Sequence, residues 1–264
     1  MRFLNLLWQF TWQQMLCCIF PAVIFLSLAF SKYLPIPFLP RYDLLLIICI
    51  ITQLLLIKFG LETWDELKVI MLFHIIGLVL EIYKIHMGSW SYPEAGYTKI
   101  LGVPLYSGFM YSSVASYICQ AWKRFNLTVT NWPKSGLVIT LCTAIYLNFF
   151  THHYIWDLRY TLIIAVLLLF LRTTVFFTVG EKRLHMPLSL SFLLIAFFIW
   201  VAENIASFFG AWYYPNQEVT WHLVGFGKIT SWYLLIIISI MIIAELKFLK
   251  KDLQEDEKKP LIRD

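Results

Sequence analysis

The sequence predicts an all-α membrane protein, a polytopic helix bundle of about eight transmembrane helices arranged as two parallel four-helix repeats. Three observations predict this fold class. The 264 residues are 60% hydrophobic and only 14% charged, whereas about a quarter of the residues in a soluble domain are charged. Apolar segments of about 20 residues, the length that crosses a bilayer, recur along the chain, and one motif within them is repeated. The composition excludes an ordinary soluble domain, a disordered chain and a disulfide scaffold.

The predicted elements follow in chain order. Residues 1–14 mix Leu, Phe and Trp with Gln and Asn, which is typical of an interfacial helix. A cleaved signal peptide is the alternative, but the apolar run starts late and Pro21 interrupts it. The capping-box pattern from Thr63 to Glu66 predicts the start of the third span, and Pro133 and Pro187 lie where helices should begin. The eight predicted spans are residues 15–33, 42–59, 66–87, 101–122, 136–154, 159–179, 188–209 and 228–248.

The distribution of basic residues predicts the orientation in the membrane. Of the 21 Lys and Arg residues, 15 lie on the side of the predicted bundle that holds both termini and 6 lie on the other side. Because short cytoplasmic segments carry the excess of positive charge, both termini are predicted to be cytoplasmic. Residues 249–264 form a charged cytoplasmic tail. No basic stripe interleaved with aromatic residues lies outside the spans, so no nucleic-acid partner is predicted.

The most informative feature is an internal repeat. The pattern E-x6-G-x-W-x-Y-P runs from Glu81 to Pro93 and recurs 122 residues later from Glu203 to Pro215, with five of thirteen aligned positions identical. Each copy closes the third helix of a predicted set of four, and an even number of spans in each half makes the halves parallel. The predicted units are a first repeat over residues 15–124, a cytoplasmic linker over 125–135 and a second repeat over 136–248.

The repeated glutamates are the first candidate site residues. At about 1.5 Å per helical residue, Glu81 lies about 22 Å above Glu66, and Glu203 about 24 Å above Pro187, so both should lie at the same depth near the outer end of the hydrocarbon. A carboxylate at that depth should face the bundle interior and is a functional candidate. The alternative is a structural role, either as an ion pair, for instance between Glu81 and Lys84, or as a buried neutral acid.

Other polar and aromatic side chains are expected at the same level. In the predicted site, Glu81, Glu203, His152 and His153 are candidate catalytic residues, and Trp90, Tyr92, Asn148, Asn204, Trp212 and Tyr214 are candidate substrate-binding residues. One chemistry is protonation of an apolar substrate by a buried glutamate, with aromatic faces stabilising the cation. A metal site is the other, but vicinal histidines on a helix diverge by about 100°. No metal and no cofactor are therefore predicted.

Several features have a structural interpretation. The five cysteines are expected to be small buried hydrophobic residues. Gly108, Ser112 and Ser116, followed by Gln120, form a ridge of small residues that predicts a tight helix contact. Gln53 has no evident partner, and His74 is interpreted as a packing residue. The sequence contains no Walker loop, nucleophile elbow, dinucleotide fingerprint or zinc-protease motif.

Four blocks of sequence carry a resemblance to a known family. They are DELKVIMLFHIIGLVLEIYKIHMGSWSYPE, GVPLYSGFMYSSVASYICQAW, NFFTHHYIWDLRY and IWVAENIASFFGAWYYPNQ. In that order they resemble the YoaT-like family of bacterial integral membrane proteins, over nearly the whole chain. The resemblance implies a multispanning protein of the bacterial inner membrane and supplies no activity.

A more distant likeness concerns the motif itself. The E-x6-G-x-W-x-Y-P block followed by Leu101-Gly-Val-Pro104 is similar to the carotenoid-biosynthesis membrane proteins of the hydratase and lycopene-cyclase group. This likeness implies a site for isoprenoid chains in which Glu81 and Glu203 would be the matching acids. The paired-glutamate motif of the cyclases is absent from the sequence, so the likeness implies a shared scaffold rather than cyclase activity.

Three functional hypotheses follow from these observations. The first is a membrane enzyme for an isoprenoid or lipid-like substrate in the outer half of the bilayer, with membrane lipid as its surroundings. The second is a small-molecule or proton-coupled transporter. The third is a non-catalytic membrane sensor or scaffold, which should contain no cavity between the glutamates. The sequence does not indicate an oligomeric state.

Overall fold

The computed structural model of the chain describes residues 2–33, 36–217 and 219–257, and most of them are helical. Thr63 and Glu66 form the predicted capping box at the start of the fourth helix, where each side chain satisfies a backbone N–H of the first turn. In chain order the helices are α1 (Arg2–Cys17), α2 (Ile19–Ser31), α3 (Arg41–Lys58), α4 (Trp64–His86), α5 (Tyr106–Arg124), α6 (Ser135–Thr151), α7 (Arg159–Leu169), α8 (Leu188–Phe208) and α9 (Gly227–Glu257).

The fold is not purely helical, and this corrects the all-α prediction. Strands β1 (Lys99–Ile100) and β2 (Val103–Pro104) form a short hairpin before α5. Strands β3 (Thr128–Thr130), β4 (Thr174–Val179) and β5 (Lys182–Pro187) form an antiparallel sheet in the order β3-β4-β5. The predicted linker over 125–135 therefore contributes a strand. The helix that corresponds to the predicted fourth span, α5, begins at Tyr106 rather than at residue 101.

The predicted sixth span, residues 159–179, is wrong in the described structure. Helix α7 ends at Leu169, and β4 follows at Thr174. The reason is local: the run Thr-Val-Phe-Phe-Thr-Val is rich in β-branched and aromatic residues, which favour a strand. Gly180 then takes φ +58° in the two-residue turn to β5, a conformation that glycine adopts without strain.

Fewer helices than predicted have the length and composition of a membrane span. Three helical segments in the described part of the chain qualify: α4, α8 and Gly227–Glu245 of α9. A fourth results if α1 and α2, which meet at a 69° bend, form one broken span. Helices α6 and α7 are apolar but shorter. These segments are consistent with a membrane protein, whereas eight spans and two four-helix repeats are not supported.

The two chain ends also differ from the prediction. Helix α1 continues past residue 14 to Cys17, so the interfacial segment and the start of the predicted first span are one helix. At the other end, α9 continues into the predicted tail as far as Glu257. Residues 258–264 of that tail lie outside the described residues.

Helices α4 and α5 pack closely because small residues lie between them. A Cβ on Gly77 would lie 2.5 Å from the Tyr111 ring, and one on Gly108 would lie 2.6 Å from His74 Nδ1. Ser112 Oγ donates to the Ile70 carbonyl over 2.9 Å. The predicted ridge of small residues therefore faces α4, and Gly77 lies within an unbroken helix.

The two copies of the repeated motif adopt the same local structure. Gly88 and Gly210, after the ends of α4 and α8, take φ values of +67° and +72°. In both copies the residue after the glycine donates its N–H back to a carbonyl of the last helical turn, Ser89 to Lys84 and Ala211 to Ala206, which is the Schellman ending. The two loops then pair with each other, because Ser91 and Tyr213 exchange both backbone hydrogen bonds.

Arg41 fixes this pair of loops to the bundle. Its guanidinium donates to the carbonyls of Phe209 and Gly210 over 2.7 and 3.2 Å and to that of Leu28 over 2.9 Å. It also forms a 2.6 Å ion pair with Glu94. A cation at these carbonyls satisfies groups that the ends of α2 and α8 leave without helical partners, so both motif loops are held beside the same face of the molecule.

Candidate functional site

Glu81 is buried near the end of α4, with 4% of its surface exposed. Its carboxylate accepts three hydrogen bonds, all from aromatic side chains. Trp90 Nε1 and Tyr92 OH donate to Oε2 over 2.7 and 3.0 Å, and Tyr111 OH of α5 donates to Oε1 over 2.8 Å. A carboxylate offers about four acceptor positions. The described contacts therefore leave one position open, on Oε1.

Glu203 has the same kind of environment near the end of α8, with 5% of its surface exposed. Tyr214 OH donates to Oε1, as Tyr92 does to Glu81. The indole donor to Oε2 is Trp232 of α9, over 2.8 Å, and not Trp212 of the motif. Each oxygen of Glu203 therefore retains one acceptor position in the described contacts.

The aromatic donors of the two glutamates touch one another. The rings of Trp90 and Tyr214 lie 6.0 Å apart, edge to face, and those of Tyr111 and Trp232 lie 6.4 Å apart. Lys228 Nζ lies 4.9 Å from the Trp90 ring centroid and 4.6 Å from that of Tyr214, within the range of a cation–π contact. One aromatic layer thus connects Glu81 to Glu203.

Both glutamates line a single cavity of about 1340 Å³. Most of its lining side chains are apolar, and they include Leu188 at the start of α8 and Phe177 of β4. The charged side chains of the lining, together with His152, collect where α4 and α8 end and where α7 and α9 begin. We call this region the polar end of the cavity; it comprises Glu81, Lys84, His152, Arg159, Glu203 and Lys228.

The two candidate histidines lie beyond the end of α6, which stops at Thr151 rather than at residue 154. The expected divergence of their directions on a helix therefore does not apply, and their ring centroids lie 4.1 Å apart. Lys84 Nζ lies 3.3 Å from Nε2 of His152 and 3.0 Å from Nε2 of His153. His152 lines the cavity, whereas His153 is exposed.

Hydrogen bonding assigns the tautomer of His152. Its Nδ1 lies 2.9 Å from the backbone oxygen of Asn148, and a carbonyl oxygen only accepts. Nδ1 therefore carries the hydrogen, and Nε2 is left to accept from Lys84. Because Lys84 bonds to the histidines and not to Glu81, the ion pair between Glu81 and Lys84, which was the structural alternative, does not form in the described structure.

The two candidate asparagines, Asn148 and Asn204, form hydrogen bonds that hold neighbouring loops in place. Asn148 donates to Asp157 Oδ1 over 3.1 Å and accepts from the Leu158 N–H over 3.1 Å. Asn204 accepts from the Val224 N–H over 2.8 Å. These two side chains, together with Tyr92 and His153, are absent from the cavity lining, while Trp90, Trp212 and Tyr214 belong to it.

Four residues of the site were not among the candidate site residues predicted from the sequence. Tyr111 and Trp232 lie within apolar helices. The sequence there does not distinguish an aromatic residue that donates a hydrogen bond to a buried carboxylate from one that only packs. Arg159 and Lys228 begin the predicted sixth and eighth spans, but the sequence does not show that tertiary packing brings them to the cavity that the glutamates line. The one available signal was positional: both basic residues start helices next to the polar end, at α7 and α9.

Another buried carboxyl, that of Glu62, lies at the opposite end of α4, in the turn after α3. Glu62 is 2% exposed and accepts hydrogen bonds from Ser116 and from Gln53, which supplies the partner that Gln53 lacked in the sequence. Burial raises the pKa of Glu62 above its usual value of 4.5, and the two hydrogen bonds oppose this only in part. Among the described residues, no group of three or more His, Cys, Asp or Glu side chains could hold a metal ion.

Comparison with known proteins places the chain in a family. Residues 6–240 match the family model described as "Protein of unknown function (DUF817)". The chain is 59% identical over 251 residues to "Uncharacterized protein YoaT" of Bacillus subtilis (strain 168), an alignment that covers 95% of each chain. No solved structure shows a significant match. Since the family model covers most of the chain and the relative matches nearly end to end, the chain belongs to the DUF817 family, as the YoaT-like resemblance predicted.

Proposed function

We propose that this protein is an integral membrane protein that binds a lipid-like molecule in its cavity and acts on it as an enzyme. The observation that carries the proposal is that two buried glutamates, from α4 and α8, line one cavity that is otherwise largely apolar. Its volume of about 1340 Å³ exceeds the roughly 300–1,000 Å³ of ordinary small-molecule pockets. A long apolar ligand is the kind that such a space accommodates.

The shape of the cavity along α8 supports the same ligand class. Lining residues on α8 extend from Leu188 to Ala206, which is roughly 27 Å of helix at 1.5 Å per residue. Half of a bilayer's hydrocarbon core is about 15 Å thick. An apolar chain can therefore lie along the cavity with its polar group beside the glutamates. The isoprenoid class in particular rests on the sequence motif alone.

The proposed chemistry is acid–base chemistry at the polar end. Glu81 and Glu203 keep open acceptor positions at which a hydroxyl or an acidic C–H of the ligand could be held, within a water-poor environment. His152 faces the same cavity as an assisting group, and His153 acts through Lys84. Trp90, Trp212 and Tyr214 line the ligand's path, while Tyr92, Asn148 and Asn204 position the site.

We further propose the location and the evolutionary arrangement that the sequence predicts. The protein resides in the bacterial inner membrane as a multi-pass protein with both termini in the cytoplasm, because basic residues predominate on that side. The matching ends of α4 and α8 favour an ancestral duplication of a unit that contains the E-x6-G-x-W-x-Y-P motif.

Glu81→Gln and Glu203→Gln test the proposed function. Cells that lack the protein would be complemented with wild-type, either variant or Glu181→Gln, a control at the exposed turn between β4 and β5. Extracted lipids would be compared by mass spectrometry. We expect both site variants to reproduce the lipid profile of the deletion strain, with one species accumulated, and the control to restore the wild-type profile. An unchanged profile in the deletion strain would refute the enzyme, provided that the wild-type protein is present in the membrane.

Transport is the second candidate, and the bend between α1 and α2 favours it. Broken helices beside a binding site are typical of secondary transporters, and residues on both sides of this 69° bend, such as Phe10 and Pro21, line the cavity. A transporter would leave the total lipid composition unchanged and alter the distribution of a lipid between the leaflets. The cavity between the glutamates argues against the sensor or scaffold hypothesis.

A further inference from the structure

Three basic side chains from three different helices meet at the polar end of the cavity. Lys84 belongs to the last turn of α4, Arg159 starts α7 and Lys228 lies in the first turn of α9. All three line the cavity, and the charges of Lys228 and Arg159 oppose that of Lys84, while the charge of Asp157 favours it. Like charges brought together away from water are unfavourable unless an anion compensates them.

Two of these cations have no direct carboxylate partner among the described residues. Lys84 is 6% exposed and donates to two imidazoles, which leaves one of its three N–H donors unused. Lys228 lies over two aromatic rings. The described ion pairs include neither lysine, because the oxygens of Glu81 and Glu203 accept from tryptophan and tyrosine instead.

The third cation is held in place by its own contacts. Arg159 pairs with Asp157 over 3.0 Å and donates to the Gly227 carbonyl and to Thr230 Oγ1, both over 3.3 Å. These bonds tie the start of α7 to the start of α9, which also carries Lys228. The spacing of the cations is therefore set by the fold and does not depend on a ligand.

We propose that the polar end binds a phosphate group carried by the lipid-like ligand, through Lys84, Arg159 and Lys228. This inference rests on the proposed function, because the phosphate is the head of the molecule whose apolar chain fills the cavity. A phosphate monoester carries up to two negative charges and three acceptor oxygens, which match three cations better than the single charge of a carboxylate. The Nε2 atoms of His152 and His153 accept two of the three N–H groups of Lys84. The third N–H of Lys84 is therefore free to donate to a phosphate oxygen.

Binding to the purified full-length protein in a nonionic detergent tests this assignment. Native mass spectrometry would measure the affinities of dodecyl phosphate, dodecanol, inorganic phosphate and phosphatidylglycerol. We expect dodecyl phosphate to bind at least about tenfold more tightly than dodecanol, the factor for one charge-assisted hydrogen bond, and inorganic phosphate to bind far more weakly. Equal binding of phosphatidylglycerol would support the assignment and identify a bilayer phospholipid as the source.

Lysine variants locate the headgroup. Lys84→Gln and Lys228→Gln should each reduce the preference for dodecyl phosphate over dodecanol by about tenfold. Lys84→Arg should retain the preference. Lys68→Gln, which removes a positive charge from an exposed ion pair near the opposite end of α4, should leave it unchanged. If Lys84→Gln does not fold, as its melting temperature would show, Lys228→Gln carries the test.

Three outcomes would overturn the assignment, and they separate it from the proposed function. Equal affinities of the wild-type protein for dodecyl phosphate and dodecanol would refute the phosphate site and leave the lipid-binding cavity intact. Inorganic phosphate that binds as tightly as dodecyl phosphate would refute a lipid headgroup. If none of the amphiphiles binds, the proposed function fails together with this inference.

Discussion

At the scale of single residues, Glu81 and Glu203 show how the protein stabilises carboxylates that are buried away from water. Each accepts hydrogen bonds from indole and phenol groups and from no lysine or arginine in the described structure. The motif supplies a tyrosine eleven residues after the glutamate in both copies, Tyr92 and Tyr214. Because these donors are neutral, the glutamates do not pair with Lys84 or Lys228, and both lysines remain available to a ligand.

The buried carboxyl of Glu62 leads to a prediction about pH. Since burial raises its pKa above 4.5, the folded protein holds the proton more tightly than the unfolded chain does. Its contribution to stability is therefore fully present below pH 4.5 and is lost as the pH rises through the folded pKa. Glu62→Gln should raise the melting temperature at pH 7 by a few degrees, as about 1 kcal/mol does in a chain of this size, and should flatten its decline with pH.

The measurement is thermal unfolding in detergent between pH 4.5 and pH 8. Glu181→Gln, at the exposed turn after β4, is the matched control and should follow the wild-type curve. A lower melting temperature of Glu62→Gln at pH 7 would contradict the argument, because it would mean that the ionised carboxylate and its hydrogen bonds with Ser116 and Gln53 stabilise the fold.

The sequence could indicate only part of this chemistry. Glu81 and Glu203 stand out because an ionisable residue in an apolar run needs a buried partner. Their partners Tyr111 and Trp232 do not stand out, because aromatic residues are common in apolar helices. Glu62 was missed for a different reason: it lies between two predicted spans, where a carboxylate is expected to face water, and only tertiary packing buries it.

At the scale of elements, helix periodicity and capping are the reliable signals. The start of α4 at Trp64 and the endings of α4 and α8 near Gly88 and Gly210 follow from local rules. The β4–β5 hairpin was missed because only Arg172, Thr173 and Thr174 separate the apolar residues that follow α7 from those of the strand. Composition alone does not separate strand from helix in such a run, whereas the β-branched residues and Gly180 do.

Close packing of α4 against α5 gives the prediction at this scale. Gly77→Ala places a methyl carbon 2.5 Å from the Tyr111 ring, and overpacking of this kind costs about 1–3 kcal/mol. We expect a melting temperature lower by several degrees. Gly136→Ala in α6 is the control. Its added carbon meets no atom within 4 Å, and the gain in helix propensity should leave the stability equal or higher by about 0.5–1 kcal/mol.

Gly77→Ala and Gly136→Ala also test whether the packing of α4 against α5 positions Tyr111 at the candidate site. Displacement of Tyr111 weakens its hydrogen bond with Glu81, so Gly77→Ala should also alter ligand binding, while Gly136→Ala should not. Equal stability of the two variants would show that α4 and α5 can separate without cost, and that the approach of these helices does not position the tyrosine.

At the scale of the whole molecule, the two ends of the bundle have different structures. The motif loops and the starts of α7 and α9 gather at one end. At the other end, the Thr178 N–H donates to the Phe125 carbonyl just after α5, so the β3-β4-β5 sheet lies where that helix finishes. Helix α5 has 19 residues and is about 28 Å long, close to the thickness of a hydrocarbon core.

This arrangement predicts that two exposed loop positions lie on opposite faces of the membrane. Tyr97 precedes α5 and is 77% exposed, and Glu181 lies at the tip of the hairpin beside the other end of α5. Since basic residues predominate on the hairpin side, that side should be cytoplasmic. In spheroplasts, a membrane-impermeant maleimide should label Tyr97→Cys directly and Glu181→Cys only after permeabilisation. The native cysteines set the background, and four of the five are buried.

Each possible pattern of labelling has a distinct structural meaning. Reversed labelling would show that the charge asymmetry does not set the orientation, and that both termini face outward. Labelling of both positions in intact spheroplasts would place the sheet and the motif loops on one face. The helices would then lie along the membrane rather than across it, and the cavity would open to water along its length. A lipid chain would gain nothing by entering such a cavity, so this measurement tests the surroundings on which the proposed site depends.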